Sequence, residues 1–192
     1  MLSFSVRTQL TIGIVLAMLM GVTRGYHFTP LEHLPSASWA VFFLAGMYLH
    51  SRWVFPALLA EAVLLDFAAV TWVGVSSFCV SPAYGFLLPA YGTLWLAGHW
   101  YAGAHCETEP TWLPLAGSVL AGAVLCELIS SGSFYFLSGR FEHTSLTQGV
   151  LRIAEYFPRS LAGLSFYVVL ASIVHLVVRR SIMFTSGVRA SS

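Results

Sequence analysis

The sequence predicts an all-α, polytopic membrane protein, and three observations carry that expectation. Hydrophobic residues make up 57% of the 192 residues and charged residues only 9%. The mean hydropathy is +0.78, far from the average of soluble domains. Finally, the apolar runs recur at the length a bilayer demands, since a helix needs about 20 apolar residues to cross about 30 Å of hydrocarbon. On that measure the single domain divides into six spans, over 6–23, 37–51, 53–75, 85–104, 112–131 and 159–178.

The first run follows Arg7 and lacks a small-x-small cleavage site before the polar segment at Thr23, so it reads as a retained helix rather than a secretory signal. The second is short and ends at "HSR" (His50 to Arg52), so its boundary with the third stays open and a five-span or re-entrant reading stands beside the six-span one. The third contains Glu61 and the chain's one aspartate, Asp66, in "AEAVLLDFAAV". The fourth and fifth follow "SSFCVSPAY" and "GAHCETEP". A longer connection from Gly132 to Pro158 precedes the sixth, and within it "LTQGVLRIAEYF" has the pattern of an amphipathic surface helix, with Leu151, Ile153 and Phe157 as its apolar contacts.

All nine basic residues are arginines, and the net charge of +1 gives no electrostatic basis for binding nucleic acid. With six spans, Arg7, Arg52, Arg179, Arg180 and Arg189 fall on one side and Arg24, Arg140, Arg152 and Arg159 on the other. This bias and the Arg179–Arg180 pair place the termini in the cytoplasm. The first, third and fifth loops then face outward together, gathering histidine, arginine and aromatic residues into a mouth.

Asp66 at membrane depth costs about 2.5–3.5 kcal/mol on insertion scales, so it is expected to face a cavity or a partner. Glu61 lies about 140° away from it around a helix, too far for the two to act as an acid–base pair; it is expected near the interface or Arg52. Glu127 is expected either to pack against a neighbouring span or to serve a polar role. The three cysteines, Cys79, Cys106 and Cys126, have neither the number nor the spacing of a disulfide framework or a zinc knuckle. Cys126 reads as a small buried hydrophobe. His105–Cys106 offers at most part of a metal site. Cys79, in a loop bounded by Ser76, Ser77 and Pro82, is expected to reach whatever occupies the mouth, as a soft ligand or a nucleophile. Tyr26, His27 and Phe28, like Phe78, offer flat faces to a planar ligand. Gly13, Ala17 and Gly21 form a small-residue stripe suited to close helix docking, whether within the chain or against a partner. No G-x-x-x-x-G-K-[ST] motif is present, so ATP hydrolysis by that route is excluded.

Six spans, outward loops and a lone third-loop cysteine followed by "VSPAY" resemble the S-components of energy-coupling-factor (ECF) vitamin transporters, in particular the BtuM family of cobalamin transporters. The resemblance runs along the whole chain. It implies Cys79 as axial ligand to the cobalt of cobalamin (vitamin B12) or another corrinoid, with His27, Asp66, Tyr84 and Arg152 as polar residues around the substrate; the aromatic rings of Tyr26 and Phe78 are expected as further substrate contacts. It further implies uptake across the bacterial cytoplasmic membrane, and thiolate exchange for an axial cyanide as an enzyme-like decyanation step. Family members use an alanine-x-x-x-alanine stripe to dock a shared energising module. Here the stripe reads Gly13, Ala17, Gly21. Two alternatives remain at the level of sequence: an S-component for a different vitamin, and a membrane-embedded thiol enzyme with Cys79 as nucleophile and His27 as base.

Overall fold

The computed structural model describes residues 5–24, 34–72, 74, 81–104 and 112–190. The described residues form six α-helices: α1 (Val6–Arg24), α2 (Ser38–Tyr48), α3 (Val54–Trp72), α4 (Leu87–Ala104), α5 (Trp112–Leu137) and α6 (Leu146–Ala190), with a short 3₁₀ turn, Pro82–Phe86, leading into α4. No strand occurs among the described residues.

Local chemistry sets the helix ends. Ser5 caps α1, its Oγ accepting the Thr8 N–H at 3.2 Å. Pro56, Pro89 and Pro114 are each the third residue of α3, α4 and α5. In the first turn a missing N–H breaks no helical bond. After α5 the chain turns at Gly139, whose φ of +69° is the left-handed conformation that glycine adopts without a Cβ clash. The Ser138 hydroxyl accepts the Arg140 N–H at 3.2 Å and tightens that turn.

Among the described residues four helical segments are long and apolar enough to cross a membrane: Val6–Arg24, Val54–Trp72, Trp112–Leu137 and Leu146–Val178. α2 differs from its expected span over 37–51. It has 11 residues and ends where Leu49 turns extended, at φ −111° and ψ 127°. At 1.5 Å per residue it rises about 16 Å, roughly half the hydrocarbon thickness. The expected long connection from Gly132 to Pro158 is also shorter than its sequence suggests. α5 runs on to Leu137 and α6 begins at Leu146, so "LTQGVLRIAEYF" forms the first turns of a 45-residue helix continuous through Pro158.

α2 is the centre of the molecule. Ala40, Val41, Phe42, Phe43 and Ala45 have no exposed surface at all, and a helix apolar all round is stable only when enclosed. α1, α3, α4, α5 and α6 each contact it. Its seam with α4 is backbone against backbone: a Cβ at Gly46 would stand 2.0 Å from the Trp95 carbonyl oxygen, and one at Gly98 would stand 2.0 Å from that of Phe43. The next seam, α4 with α5, is nearly as close, with a Gly122 Cβ 2.9 Å from that of Ala97. There the Ser118 hydroxyl donates to the Ala97 carbonyl at 2.7 Å. The outer faces carry large apolar side chains, among them Leu64, Phe67, Leu96, Trp100, Val169 and Ile173. An apolar exterior of this extent belongs in lipid rather than water.

Candidate functional site

The polar chemistry gathers at one end of the bundle, where α1 finishes, α2 starts, α3 nears its last turn and the 3₁₀ turn enters α4. Arg24, the last residue of α1, forks onto Asp66 of α3: Nε donates to Oδ1 at 2.7 Å and Nη2 to Oδ2 at 2.6 Å. Two parallel charge-assisted bonds of this kind are the strongest pairing a guanidinium makes with a carboxylate. The remaining nitrogen, Nη1, donates to Ser38 Oγ and to Tyr91 Oη, both at 2.9 Å. Tyr84 completes the set by donating its hydroxyl to Asp66 Oδ2 at 2.7 Å. The Tyr91 ring lies flat on Phe42 of the central helix, with centroids 4.4 Å apart, so the network is seated on the core.

The partner expected for Asp66 is therefore Arg24, and neither side chain is far from solvent, at 15% exposed for the arginine and 28% for the aspartate. Burial, and then the hydrogen bond to the carboxylate, push the Tyr84 phenol above its ordinary range. It stays a neutral donor. A second tie holds the same two helix ends: the Thr23 hydroxyl donates to the Leu19 carbonyl at 2.8 Å and accepts the Ala37 N–H at 3.1 Å.

Beside the network opens a cleft of about 400 Å³ lined by Arg24, Ser36, Ser38, Trp39, Arg159 and Ser160, among others. Its wall is fixed from behind. Tyr167 donates to the Pro35 carbonyl at 2.8 Å, and Gly163 lets α6 approach so closely that a Cβ there would meet that of Pro35 at 3.3 Å.

Of the residues expected at the mouth, Asp66 and Tyr84 are in direct contact. Arg152, in the second turn of α6, lies against the connection from α5, its guanidinium 4.6 Å from the Phe141 ring centroid and 5.8 Å from that of Tyr135. Cys79, His27, Tyr26 and Phe78 lie outside the described residues, as do His105 and Cys106. The described residues next to those outer segments, Arg24 and Leu34 on one side and Ser81 on the other, stand at or near this end of the bundle, since Arg24 and Leu34 line the cleft and Ser81 leads through the 3₁₀ turn to Tyr84. Among the described residues no three His, Cys, Asp or Glu side chains come together as a metal site.

Glu61 packs beside α1, its Oε1 3.7 Å from a Gly21 Cβ position. Gly13 faces Leu49 in the same way, and Ala17 packs on the core, so the small-residue stripe is engaged at least in part within the chain. Glu127 is buried, 3% exposed, and accepts the Ser131 hydroxyl at 2.5 Å. Cys126 has no exposed surface, as a thiol behaving as a hydrophobe does. Sequence reasoning missed Arg24, Ser38, Tyr91 and Arg159. The signal for Arg24 was present: consecutive spans alternate in direction, so the first and third run the same way and a cation ending the first falls level with an anion near the end of the third.

Comparison with family models and with curated proteins finds no match for this chain.

Proposed function

We propose that the protein binds and takes up cobalamin or a related corrinoid across the bacterial cytoplasmic membrane, in a six-span plan where the four long helices are joined by the shorter α2 and α4. Cys79 is the axial cobalt ligand in this reading, with His27, Tyr26, Phe78 and Arg152 completing the outward face. One observation carries it: the closed network of Arg24, Asp66, Ser38, Tyr84 and Tyr91 ties four helices and the 3₁₀ turn into one platform, beside a cleft that opens at the same end. A rim of amides, such as surrounds a corrin, matches a surface of tyrosine and serine hydroxyls and arginine donors. The resemblance of the lone cysteine and its "VSPAY" to the BtuM pattern supplies the metal chemistry.

A thiolate from Cys79 replaces the axial cyanide of cyanocobalamin in this scheme, and the cyanide departs as an anion. Energy for movement comes from a gradient or from a shared energising module, which would share the stripe of Gly13, Ala17 and Gly21 with the chain's own Leu49 and Glu61. Absorption spectra of the purified protein mixed with cyanocobalamin test the proposal. The expected result is a shifted corrin spectrum that Cys79→Ala abolishes. An unshifted spectrum, the same in both proteins, overturns it; retained affinity without the thiol points to an S-component of other specificity.

A further inference from the structure

Among the described residues two guanidinium groups line the cleft, and only one of them is neutralised there. Arg24 is held on Asp66 by its fork and has its third nitrogen on Ser38 and Tyr91. Arg159 is exposed and has no hydrogen-bond or ion-pair partner among the described residues. Among the described residues lining the cleft there is no carboxylate. Around Arg159 stand hydroxyl donors: Ser160, the next residue on α6, and Ser36, whose Oγ lies 3.2 Å from that of Ser38. Trp39 gives the same wall an apolar face. The wall is also prearranged, because Tyr167 and Gly163 clamp the 34–36 segment to α6 before anything binds. A site with one surplus positive charge, short hydroxyl donors and an aromatic face has the chemistry for a singly charged anion of tetrahedral oxygens carrying an organic substituent.

We propose that the cleft is a subsite for a phosphodiester and that Arg159 is the residue that selects it. The inference rests on the corrinoid reading for one of its two sources, the phosphodiester that links the nucleotide arm of cobalamin to the ring. The other source with the same chemistry is a phospholipid headgroup, because the apolar exterior of the bundle places the cleft at a membrane surface.

The test uses the full chain in maltoside micelles. Wild type, Arg159→Gln and Arg159→Lys are titrated calorimetrically with cyanocobalamin, which carries the phosphodiester, and with dicyanocobinamide, which lacks the nucleotide arm. Phospholipid retained by each protein is measured by mass spectrometry. If the ligand supplies the group, Arg159→Gln weakens cyanocobalamin binding by about 10- to 100-fold, the range expected for a charged hydrogen bond. Cobinamide affinity then stays within about twofold, and Arg159→Lys recovers part of the loss. If a lipid supplies it, wild type retains a phospholipid that Arg159→Gln loses, while corrinoid affinities do not move. Equal affinities for both corrinoids in wild type and Arg159→Gln, with equal retained phospholipid, overturn the subsite. Failure of every variant to bind either corrinoid refutes the corrinoid reading alone, and the phospholipid measurement then decides the subsite.

Discussion

Asp66→Asn tests the network most directly, because it removes one charge and changes the shape of the side chain very little. The carboxylate accepts three hydrogen bonds: 2.7 Å from Arg24 Nε, 2.6 Å from Nη2 and 2.7 Å from Tyr84. Asparagine presents an N–H₂ where one of the two oxygens stood, so either the Nε arm of the guanidinium fork loses its acceptor or the Nη2 arm and the tyrosine both do, and Arg24 keeps its charge without a counter-ion. Breaking a buried ion pair from one side costs about 3–5 kcal/mol, and the partial exposure of this pair lowers that to about 2–4 kcal/mol. Arg24→Gln makes the reciprocal change and should cost a similar amount. The double variant Arg24→Gln/Asp66→Asn leaves neither charge unpaired, so it should be more stable than the sum of the single losses predicts, by about 2 kcal/mol. Unfolding in mixed micelles at increasing sodium dodecyl sulfate, followed by far-ultraviolet circular dichroism, measures all four proteins. Strict additivity, or a loss below about 0.5 kcal/mol for Asp66→Asn, would refute the assignment of this pair as the tie between α1 and α3.

Gly98→Ala should destabilise by about 2–3 kcal/mol, since its methyl group would collide with the Phe43 carbonyl, whereas Gly117→Ala on α5, with open space around it, should be neutral or stabilising by about 0.5–1 kcal/mol; the same unfolding assay compares them. Tyr84→Phe removes a single bond to Asp66 and should cost about 1–2 kcal/mol at neutral pH. The folded state holds the Tyr84 proton above the ordinary value of 10.0, so its stabilising contribution is complete below about pH 10 and declines as pH rises beyond it. Wild type should therefore lose stability more steeply than Tyr84→Phe above pH 10 in a pH series of the unfolding assay. Cys126, with no exposed surface, should resist maleimide labelling in a Cys79→Ala/Cys106→Ala background until the protein is denatured, which intact-mass measurement reports directly.

The helices were legible because apolar length is a strong signal, but their ends were not. Between Gly132 and Pro158 the polar residues suggested a loop, yet Ser133 and Tyr135 are buried in α5, and Gly149 packs against the rings of Tyr135 and Phe136. Polar composition there reflects a helical hairpin held by hydrogen bonds such as the Ser145 N–H to Tyr135 Oη at 3.0 Å, a tertiary arrangement that no local pattern encodes. The shortness of α2 escaped for the opposite reason: hydrophobicity continues through Leu49, which is buried beyond the end of the helix. At the site, the isolated charge of Asp66 announced itself, since a carboxylate among hydrocarbon needs a reason. Arg24 was hidden because it falls at a span end, where arginine is ordinary. Arg159 was equally inconspicuous, and only the clamp by Tyr167 and Gly163 brings it to a shared wall with Ser36.

Where main chain meets main chain at Gly46 and Gly98, there is no cushion of side chains to slide over, so those two helices cannot slip past one another without first separating. The adjoining α4 and α5 seam behaves as the same solid slab. Any large rearrangement of the bundle, including the one the proposed uptake requires, must therefore tilt this slab as one piece or swing α1 and α3 against it, and a cross-link across the glycine seam should leave such a motion intact.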